Sequence, residues 1–241
     1  MRFLKKIAEK EKELFSPNAV TIVFLGDSTT QGCFECYMDE QGKVSTVFET
    51  EQCYGTKFKS LLQRLYPRAQ INAVNSGISG DVARRGLERL EDSVLRYRPD
   101  LTIVSYGLND CNNELVGVEA YRQQLSEIFE QLVESGSEVI FLAPCMMNTY
   151  VSASITDAPL QKIAENTMRL QNDGVLEAYF GVARETAAKY GVAFCDCYSK
   201  WMQMKKAGVD TTALLSNRIN HPSRDMHWVI AYALLDIVFE M

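Results

Sequence analysis

No stretch of the sequence contains about 18 consecutive apolar residues, and this absence excludes a membrane-spanning helix on length grounds. The sequence also lacks a run of Lys and Arg long enough to follow a phosphate backbone, and its formal net charge is -6. An acidic protein without a basic stripe is a poor partner for nucleic acid. We therefore expect neither nucleic acid nor a membrane span, and a small molecule as the partner.

A disulfide framework is lacking as well, because the seven cysteines are odd in number and scattered through predicted strands and loops. This usage is typical of reduced thiols in the cytoplasm. Cys195 and Cys197 form a C-x-C pair, but no Cys/His cluster accompanies them at zinc-ligand spacing. We expect no metal site, and we interpret the pair as buried thiols.

The N-terminal segment lacks the uninterrupted apolar core of an export signal, which again favours a cytoplasmic protein. Charged residues separate its apolar residues, which follow the spacing of an amphipathic helix: Phe3, Leu4, Ile7, Leu14 and Phe15. We predict a helix over residues 1–17. It is expected as an appendage to a single domain over residues 1–241, a length that allows one full core.

Five short apolar runs alternate with segments of helical spacing along the chain. The runs, each predicted to be a buried strand, are residues 19–25, 69–74, 101–106, 138–143 and 192–195. The predicted helices include residues 56–66, 82–96, 119–134 and 176–190, with a final helix over 224–241. This alternation predicts an α/β fold of three layers, in which helices cover both faces of a five-stranded, mainly parallel sheet.

Two longer segments without clear periodicity follow predicted strands. Residues 32–52 are expected to form an ordered loop or a small insertion, and residues 144–159 form a second irregular stretch. Both begin at the carboxyl ends of predicted strands, where open parallel sheets bind ligands. We expect substrate preference to depend on these two segments.

A serine follows the first predicted strand in the heptad GDSTTQG, residues 26–32. A buried strand that turns towards a helix at this point presents the hydroxyl of Ser28 to solvent and places backbone N–H groups beside it. Asp and Ser after a strand are also common helix N-caps, and the heptad alone does not separate the two interpretations. The segments that follow the other strands favour a nucleophile.

The next two predicted strands are followed by NSGISGD, residues 75–81, and GLND, residues 107–110. Both segments are expected at the same sheet edge as Ser28. A glycine lets the backbone aim an N–H closely at a substrate, and the Asn109 amide can donate a further hydrogen bond to a developing oxyanion. With the N–H of Ser28 they would form a three-donor oxyanion hole, although each segment alone is also ordinary turn chemistry.

Two histidines occur, His221 and His227, and both lie in one late segment. A serine hydrolase needs a base whose pKa lies near the working pH, and histidine meets that need without perturbation. His221 precedes the last predicted helix, whereas His227 falls inside it and is expected to pack or cap. We predict His221 as the general base for Ser28.

These segments, in this order, resemble the SGNH hydrolase superfamily, also called GDSL-like lipases or acylhydrolases, over residues 20–233. The resemblance assigns the four family positions to Ser28, Gly80, Asn109 and His221. Each segment is a weak signal alone, but four in the family order are a strong one. The resemblance implies a flavodoxin-like fold, no cofactor, and hydrolysis through an acyl-enzyme.

The family's third catalytic residue, an Asp a few residues before the histidine, is missing. The stretch here is SNRIN, residues 216–220, and Asn217 occupies the corresponding place. An amide orients an imidazole but does not offset its positive charge. A backbone carbonyl from Asn217 or a neighbour can hold the Nδ1 proton instead, or Asp196 or Asp225 can reach the ring, or activity is feeble. We favour the carbonyl and a Ser-His dyad.

The residues and the resemblance together predict a serine ester hydrolase that acts on small carboxylic esters. Acetylated sugars or glycans are placed ahead of short-chain lipid esters as substrates. A thioesterase or lysophospholipase would use the same residues with a longer apolar acyl channel. A catalytically weakened ligand-binding protein is the alternative from another class, and the missing Asp is its motivation.

Overall fold

The computed structural model describes residues 2–15 and 19–240. Within these ranges the strands are β1 (Val20–Gly26), β2 (Cys33–Met38), β3 (Val44–Phe48), β4 (Ile71–Gly77), β5 (Leu101–Ser105), β6 (Glu138–Ala143) and β7 (Ala193–Asp196). The α-helices are α1 (Arg2–Lys12), α2 (Ser28–Gln31), α3 (Tyr54–Leu65), α4 (Ala83–Glu88), α5 (Leu90–Ser93), α6 (Val118–Glu134), α7 (Ala158–Asn172), α8 (Val175–Tyr190), α9 (Cys197–Lys206) and α10 (Arg224–Glu240). Short 3-10 helices span Thr50–Gln52, Leu95–Tyr97, Asp110–Asn113, Leu115–Gly117 and Thr212–Leu214.

Five strands form one sheet in the order β4-β1-β5-β6-β7. All neighbouring pairs are parallel, which confirms the predicted fold class. The sequence predicts a mainly parallel sheet, and the sheet is parallel throughout. When only the five strands of this sheet are counted in chain order, their spatial order is 2-1-3-4-5, which is the flavodoxin-like arrangement. Sheets of this kind bind ligands at the carboxyl ends of the two strands between which the order reverses, here β1 and β5.

Helices cover both faces of the sheet and enclose two hydrophobic cores. In β1, Val23 and Leu25 face the core shared with α4, α6 and α8. Ile22 and Phe24 face the core shared with α1, α3 and α10. Every residue of β5 is buried, as expected for a strand covered on both faces. The predicted three-layer α/β/α architecture is therefore confirmed.

The N-terminal helix is shorter than the predicted span of residues 1–17. α1 ends at Lys12, and Leu14 and Phe15 lie beyond it as exposed residues rather than on its apolar face. Phe3 and Ile7 are buried in the core on the α1 side of the sheet. Residues 1 and 16–18 lie outside the described residues.

Residues 32–52, expected as a loop or a small insertion, contain an antiparallel hairpin of β2 and β3. Asp39 closes its turn, because the carboxylate accepts the N–H groups of Gln41 and Lys43 at 2.9 and 2.8 Å. Only the first two residues of β2 are buried. The hairpin therefore lacks the apolar run that makes the central strands predictable.

Helices α7 and α9 have no counterpart among the predicted helices. α7 has Pro159 in its first turn, a position that proline favours. α9 begins after Asp196, whose carboxylate accepts the Ser199 N–H at 2.8 Å. Both start signals are present in the sequence. They are hard to recognise there because α7 follows an irregular stretch and α9 follows β7 directly.

α10 begins directly after the segment that carries His221, and it packs against α3. Its His227 is fully buried, and Nδ1 of that residue accepts the Tyr54 N–H at 2.9 Å. The His227 ring lies 5.1 Å from the ring of Phe34 on β2. His227 thereby joins the final helix to α3 and to the hairpin. No helix of the described chain has the length and apolar character needed to cross a membrane.

We predict that His227 makes the protein less stable in acid. Burial lowers its pKa from 6.5 to about 3, so the unfolded chain binds a proton first as pH falls, and stability is lost between those values. His227→Asn keeps a neutral acceptor for the Tyr54 N–H and removes the titration. From pH 6.5 to about pH 5, the unfolding free energy of the wild type relative to this variant should fall by about 2 kcal/mol.

Urea unfolding of both proteins at the two pH values measures this difference. The other titrating groups are shared, so their contributions cancel. A difference that stays constant with pH would contradict the assignment of a neutral, buried His227.

Candidate active site

A cavity of about 310 Å³ lies at the carboxyl edge of the sheet. Ser28, Gly80, Asn109 and His221, the four residues expected there, all line it. The other lining residues are Cys36, Val44, Ser45, Thr46, Phe48, Ser79, Leu160, Ile163, Asn217, Ile219 and Asn220. The two segments expected to govern substrate preference border the cavity differently: the hairpin lines it, whereas the second wall comes from α7, just after residues 144–159.

Ser28 begins α2, a single helical turn that follows β1. Asp27 caps this turn by accepting the Thr29 N–H at 2.9 Å, and burial raises the pKa of Asp27 to about 7. The end of β4 passes so close that a Cβ on Gly77 would lie 2.3 Å from the backbone nitrogen of Gln31. The helix cap is therefore Asp27, and tight packing against β4 holds the turn that presents Ser28.

The Ser28 hydroxyl is hydrogen-bonded to the His221 imidazole, with 3.0 Å between Oγ and Nε2. On the other side of the ring, Nδ1 lies 2.8 Å from the backbone carbonyl oxygen of Phe34. A carbonyl oxygen only accepts hydrogen bonds, so the neutral ring carries its proton on Nδ1. Nε2 is then unprotonated and accepts the Ser28 O–H.

Burial controls the charge of His221, which is only 6% exposed. Desolvation lowers its pKa to about 4, against smaller raising effects of the Phe34 carbonyl and the Glu35 carboxylate. At neutral pH the imidazole is therefore uncharged. This is the form that can accept a proton.

The Asn217 side chain, considered as a group that could orient the imidazole, does not bond to it. Its Oδ1 accepts the backbone N–H groups of Ile219, Asn220 and His221 at 3.0, 2.9 and 2.9 Å. Asn217 therefore shapes the loop that carries the histidine, a common use of an Asn side chain. The acceptor for Nδ1 is a backbone carbonyl, but it comes from Phe34 on β2 and not from Asn217 or a neighbour.

Neither aspartate considered as a substitute for the missing Asp contacts His221. Asp196 caps α9 and pairs with Arg184. Asp225 is exposed on α10. Across residues 2–15 and 19–240, the ring of His221 bonds only to Ser28 and to the Phe34 carbonyl.

The segments that carry Gly80 and Asn109 are bound to each other. Asn109 Nδ2 donates to the carbonyl oxygen of Asp81 at 2.9 Å, which leaves its second amide hydrogen for a ligand. Asp110 bridges the two segments by accepting one backbone N–H from each side, both at 2.9 Å. Gly80 has a φ of +76°, a left-handed conformation that glycine adopts without strain.

An ion pair that no sequence pattern marks holds the Gly80 segment to the sheet. The buried Asp81 accepts from Arg89 at 2.7 Å and from the Tyr106 hydroxyl at 2.9 Å. Arg89 also donates to the carbonyl oxygen of Gly26 at the end of β1. The ion pair joins the turn that carries Asp81 to the end of α4, where Arg89 lies. No rule of sequence spacing predicts an ion pair between these two positions.

Metal-binding side chains do not gather in the part of the chain that the structure describes. There, no group of three or more His, Cys, Asp or Glu is arranged to hold a metal ion. The seven cysteines are free, and Cys195 and Cys197 are buried thiols.

Comparison with known proteins relates this site to a family. The sequence matches the model of the GDSL-like lipase/acylhydrolase family over residues 24–229. An acetylxylan esterase of Geobacillus stearothermophilus is 24% identical over 229 residues, which are 91% of this chain and 94% of that enzyme. An α/β hydrolase from the metagenome of Lake Arreo, Spain, has a TM-score of 0.67 at 21% identity, covering 92% of this chain and 97% of that one.

The solved structures also include catalytic mutants of an acetylxylan esterase from Geobacillus stearothermophilus, in which alanine replaces a serine, an aspartate or a histidine. The serine mutant has a TM-score of 0.67 at 19% identity, covering 92% of this chain and 95% of that one. In that enzyme the aspartate stands three positions before the histidine.

Three positions before His221 this chain has Arg218, so the residue at the place of that aspartate is Arg218 and not Asn217 as predicted. The Arg218 guanidinium donates to the backbone carbonyls of Ala213 and Leu215. This chain therefore has no carboxylate three positions before the histidine. The family match nevertheless spans most of the sequence and includes the segments that carry Ser28 and His221. The chain belongs to the GDSL-like lipase/acylhydrolase family and is a carboxylic ester hydrolase of the SGNH type.

Proposed function

We propose that this protein hydrolyses short-chain carboxylic esters through an acyl-enzyme, with Ser28 as the nucleophile and His221 as the general base. The observation that carries the proposal is the 3.0 Å hydrogen bond between His221 Nε2 and Ser28 Oγ. The other ring nitrogen is bound to the Phe34 carbonyl. A nucleophile, a base and a group that orients the base are the parts that activate a serine.

The reaction proceeds in two halves. His221 Nε2 takes the Ser28 proton while Oγ bonds to the ester carbonyl carbon, and the Ser28 N–H, the Gly80 N–H and Asn109 Nδ2 stabilise the resulting oxyanion. The imidazolium then protonates the leaving alcohol as the C–O bond breaks, which leaves the acyl group on Ser28. Water, deprotonated by His221, attacks the acyl carbon, and the acid leaves as Ser28 regains its proton.

The Phe34 carbonyl supplies one of the two functions of the missing aspartate. It fixes the tautomer in which Nε2 is free to accept the serine proton. In a serine protease, replacing the Asp by Asn lowers turnover about 10⁴-fold, mainly through the wrong tautomer. A correctly oriented imidazole therefore argues for an active dyad and against the ligand-binding alternative.

The size of the cavity favours a short acyl group. Its volume of about 310 Å³ lies at the lower end of the range for small-molecule sites, roughly 300 to 1,000 Å³. Both halves of the ester have to share this space. A long acyl chain would extend past the apolar side chains of Phe48, Leu160 and Ile163 into solvent.

The chemistry of the cavity wall favours an uncharged, hydroxyl-bearing alcohol, and we place acetylated sugars or glycans first. Neutral hydrogen-bonding side chains line it: Ser45, Thr46, Ser79, Asn217 and Asn220. None of the described lining residues carries a full charge at neutral pH, so a phosphate headgroup has no cationic partner there. The similarity to an acetylxylan esterase also supports this order.

Ser28→Ala should abolish the hydrolysis of p-nitrophenyl acetate, because in the described structure Ser28 supplies the one side-chain hydroxyl that is hydrogen-bonded to His221 Nε2. Its melting temperature should be nearly unchanged, since the side chain is small and its bond to His221 is single. Ser154→Ala is the matched control, because Ser154 is exposed and is not among the residues that line the cavity. It should retain full turnover.

A fluorophosphonate probe gives a second measurement on the same proteins. It should modify the wild type and Ser154→Ala at one serine, located by mass spectrometry, and should not modify Ser28→Ala. Retained turnover in Ser28→Ala would remove Ser28 from the role. A folded wild type that neither turns over ester nor takes up the probe would favour the ligand-binding alternative.

The acyl specificity follows from the size of the cavity. Among p-nitrophenyl esters from acetyl to palmitoyl, kcat/KM should be highest for acetyl and lower for palmitoyl by on the order of tenfold or more, because the methylenes that the small cavity does not hold remain in solvent. The opposite order would indicate a long acyl channel and favour a thioesterase or lysophospholipase.

A further inference from the structure

The guanidinium of Arg224, at the start of α10, contacts two carboxylates and one aromatic ring. Glu35 accepts from Nη1 and Nη2 at 2.7 and 3.0 Å. Glu49 accepts from Nε and Nη2 at 2.8 and 2.5 Å. The guanidinium carbon lies 4.5 Å from the centroid of the Phe34 ring. One planar group thus makes a fork-like contact with each acid while it stacks near an aromatic ring.

Two of these three partners flank the peptide bond whose oxygen binds the histidine. Phe34 and Glu35 are consecutive, and the carbonyl oxygen between them lies 2.8 Å from His221 Nδ1. Arg224 lies in the segment that continues directly from His221 into α10. The Arg224 cluster, defined as Arg224 with Glu35 and Glu49, therefore joins the segment of the base to the strand that supplies its acceptor.

The Arg224 cluster does not belong to the cavity wall. None of its three side chains is among the residues that line the cavity. An effect of the cluster on turnover therefore passes through the Phe34 carbonyl, through the charge of the cluster, or through the hairpin residues that line the cavity next to Glu35 and Glu49. It cannot arise from a direct contact with substrate.

The charges of the cluster do not cancel, because two carboxylates meet one guanidinium. Arg224 holds the pKa of Glu35 below its usual range, so this carboxylate is ionised at neutral pH. Glu35 in turn raises the pKa of His221, and it is the one carboxylate that does so. The cluster therefore carries a net negative charge, and its Glu35 carboxylate acts on the ring that becomes cationic during ester hydrolysis.

We propose that this chain divides the two functions of the missing aspartate between adjacent groups on β2. The Phe34 carbonyl orients His221, and the Glu35 carboxylate offsets the positive charge that the imidazole acquires, while Arg224 holds both groups in place. Glu35 and Arg224 are positioning residues, since they act on His221 and not on the substrate. The inference rests on the proposed function of Ser28 and His221.

A purely structural role is the alternative, because the cluster also fastens the hairpin to α10. In that case Glu35 and Glu49 would be equivalent, since each binds one side of the same guanidinium. Their side chains are similarly exposed, at 44% and 37%. They differ in position: Glu35 adjoins the Phe34 carbonyl, whereas Glu49 follows β3. Glu49→Gln is therefore a matched control for Glu35→Gln.

Other titratable groups near His221 have to be separated from the effect of Glu35. They are Cys36 on β2, Glu49 after β3, Asp27 before α2, and Arg224 and His227 on α10. Burial raises the pKa of the Cys36 thiol and lowers that of His227 to about 3, so neither becomes charged between pH 4 and neutrality. Asp27, with a pKa of about 7, does change charge in this range, but it is common to all variants.

The test compares Glu35→Gln with Glu49→Gln, each of which keeps an acceptor for Arg224 and removes one charge. Both should lower kcat by a common small factor, and Glu35→Gln should lower it by a further factor of about ten at unchanged KM, the equivalent of about one pKa unit. The acidic limb of its kcat/KM profile should move to lower pH by roughly half a unit to one unit, because the lost charge favours neutral His221. Glu35→Asp retains the charge and should keep the wild-type limb.

Circular dichroism at each pH restricts these profiles to folded protein. Equal losses in Glu35→Gln and Glu49→Gln, with the same acidic limb, would overturn the inference while leaving wild-type turnover and Ser28 labelling intact. A wild type that shows neither turnover nor labelling would overturn the proposed function together with this inference. The two failures are therefore distinguishable.

Discussion

The hydrogen bond between His221 Nδ1 and the Phe34 carbonyl decides what chemistry the site can perform. Because a carbonyl only accepts, this 2.8 Å contact holds the ring proton on the side away from Ser28 and leaves Nε2 as an acceptor for the hydroxyl. An aspartate in this place would both orient the imidazole ring and supply a negative charge. A peptide oxygen only orients the ring, so any compensation of the imidazolium charge has to come from a neighbouring side chain.

The contact depends on packing around a hairpin that has little core of its own. The Phe34 side chain is fully buried, with the His227 ring at 5.1 Å and the Arg224 guanidinium at 4.5 Å. On the histidine side, Asn217 accepts three backbone N–H groups and fixes the loop. The same burial that aligns the imidazole also lowers its pKa to about 4, which keeps it neutral but makes it a weaker base.

The sequence predicts the parts of the site that parallel sheets place by rule. Ser28 and Asn109 follow β1 and β5, buried strands whose apolar runs are visible because helices cover both faces. Gly80 follows β4, a partly exposed edge strand, and parallel strands end at one edge of the sheet. The Phe34 carbonyl has no such signal. This oxygen is a backbone atom of a residue that lies 187 positions before His221 in the sequence. Its strand, β2, is too exposed to be recognised as a strand from an apolar run. The interpretation of Asn217 as a possible partner of the imidazole is wrong, because a residue type indicates hydrogen-bonding capacity but not which donors lie within reach.

The tautomer of His221 tests this account most directly. In protein labelled with nitrogen-15 at histidine, long-range proton–nitrogen spectra at neutral pH show which ring nitrogen carries the hydrogen. His227 is an internal reference, because its Nδ1 accepts the Tyr54 N–H and its proton must lie on Nε2. The account predicts opposite tautomers, with the proton of His221 on Nδ1. A His221 ring protonated on Nε2, like that of His227, would contradict it.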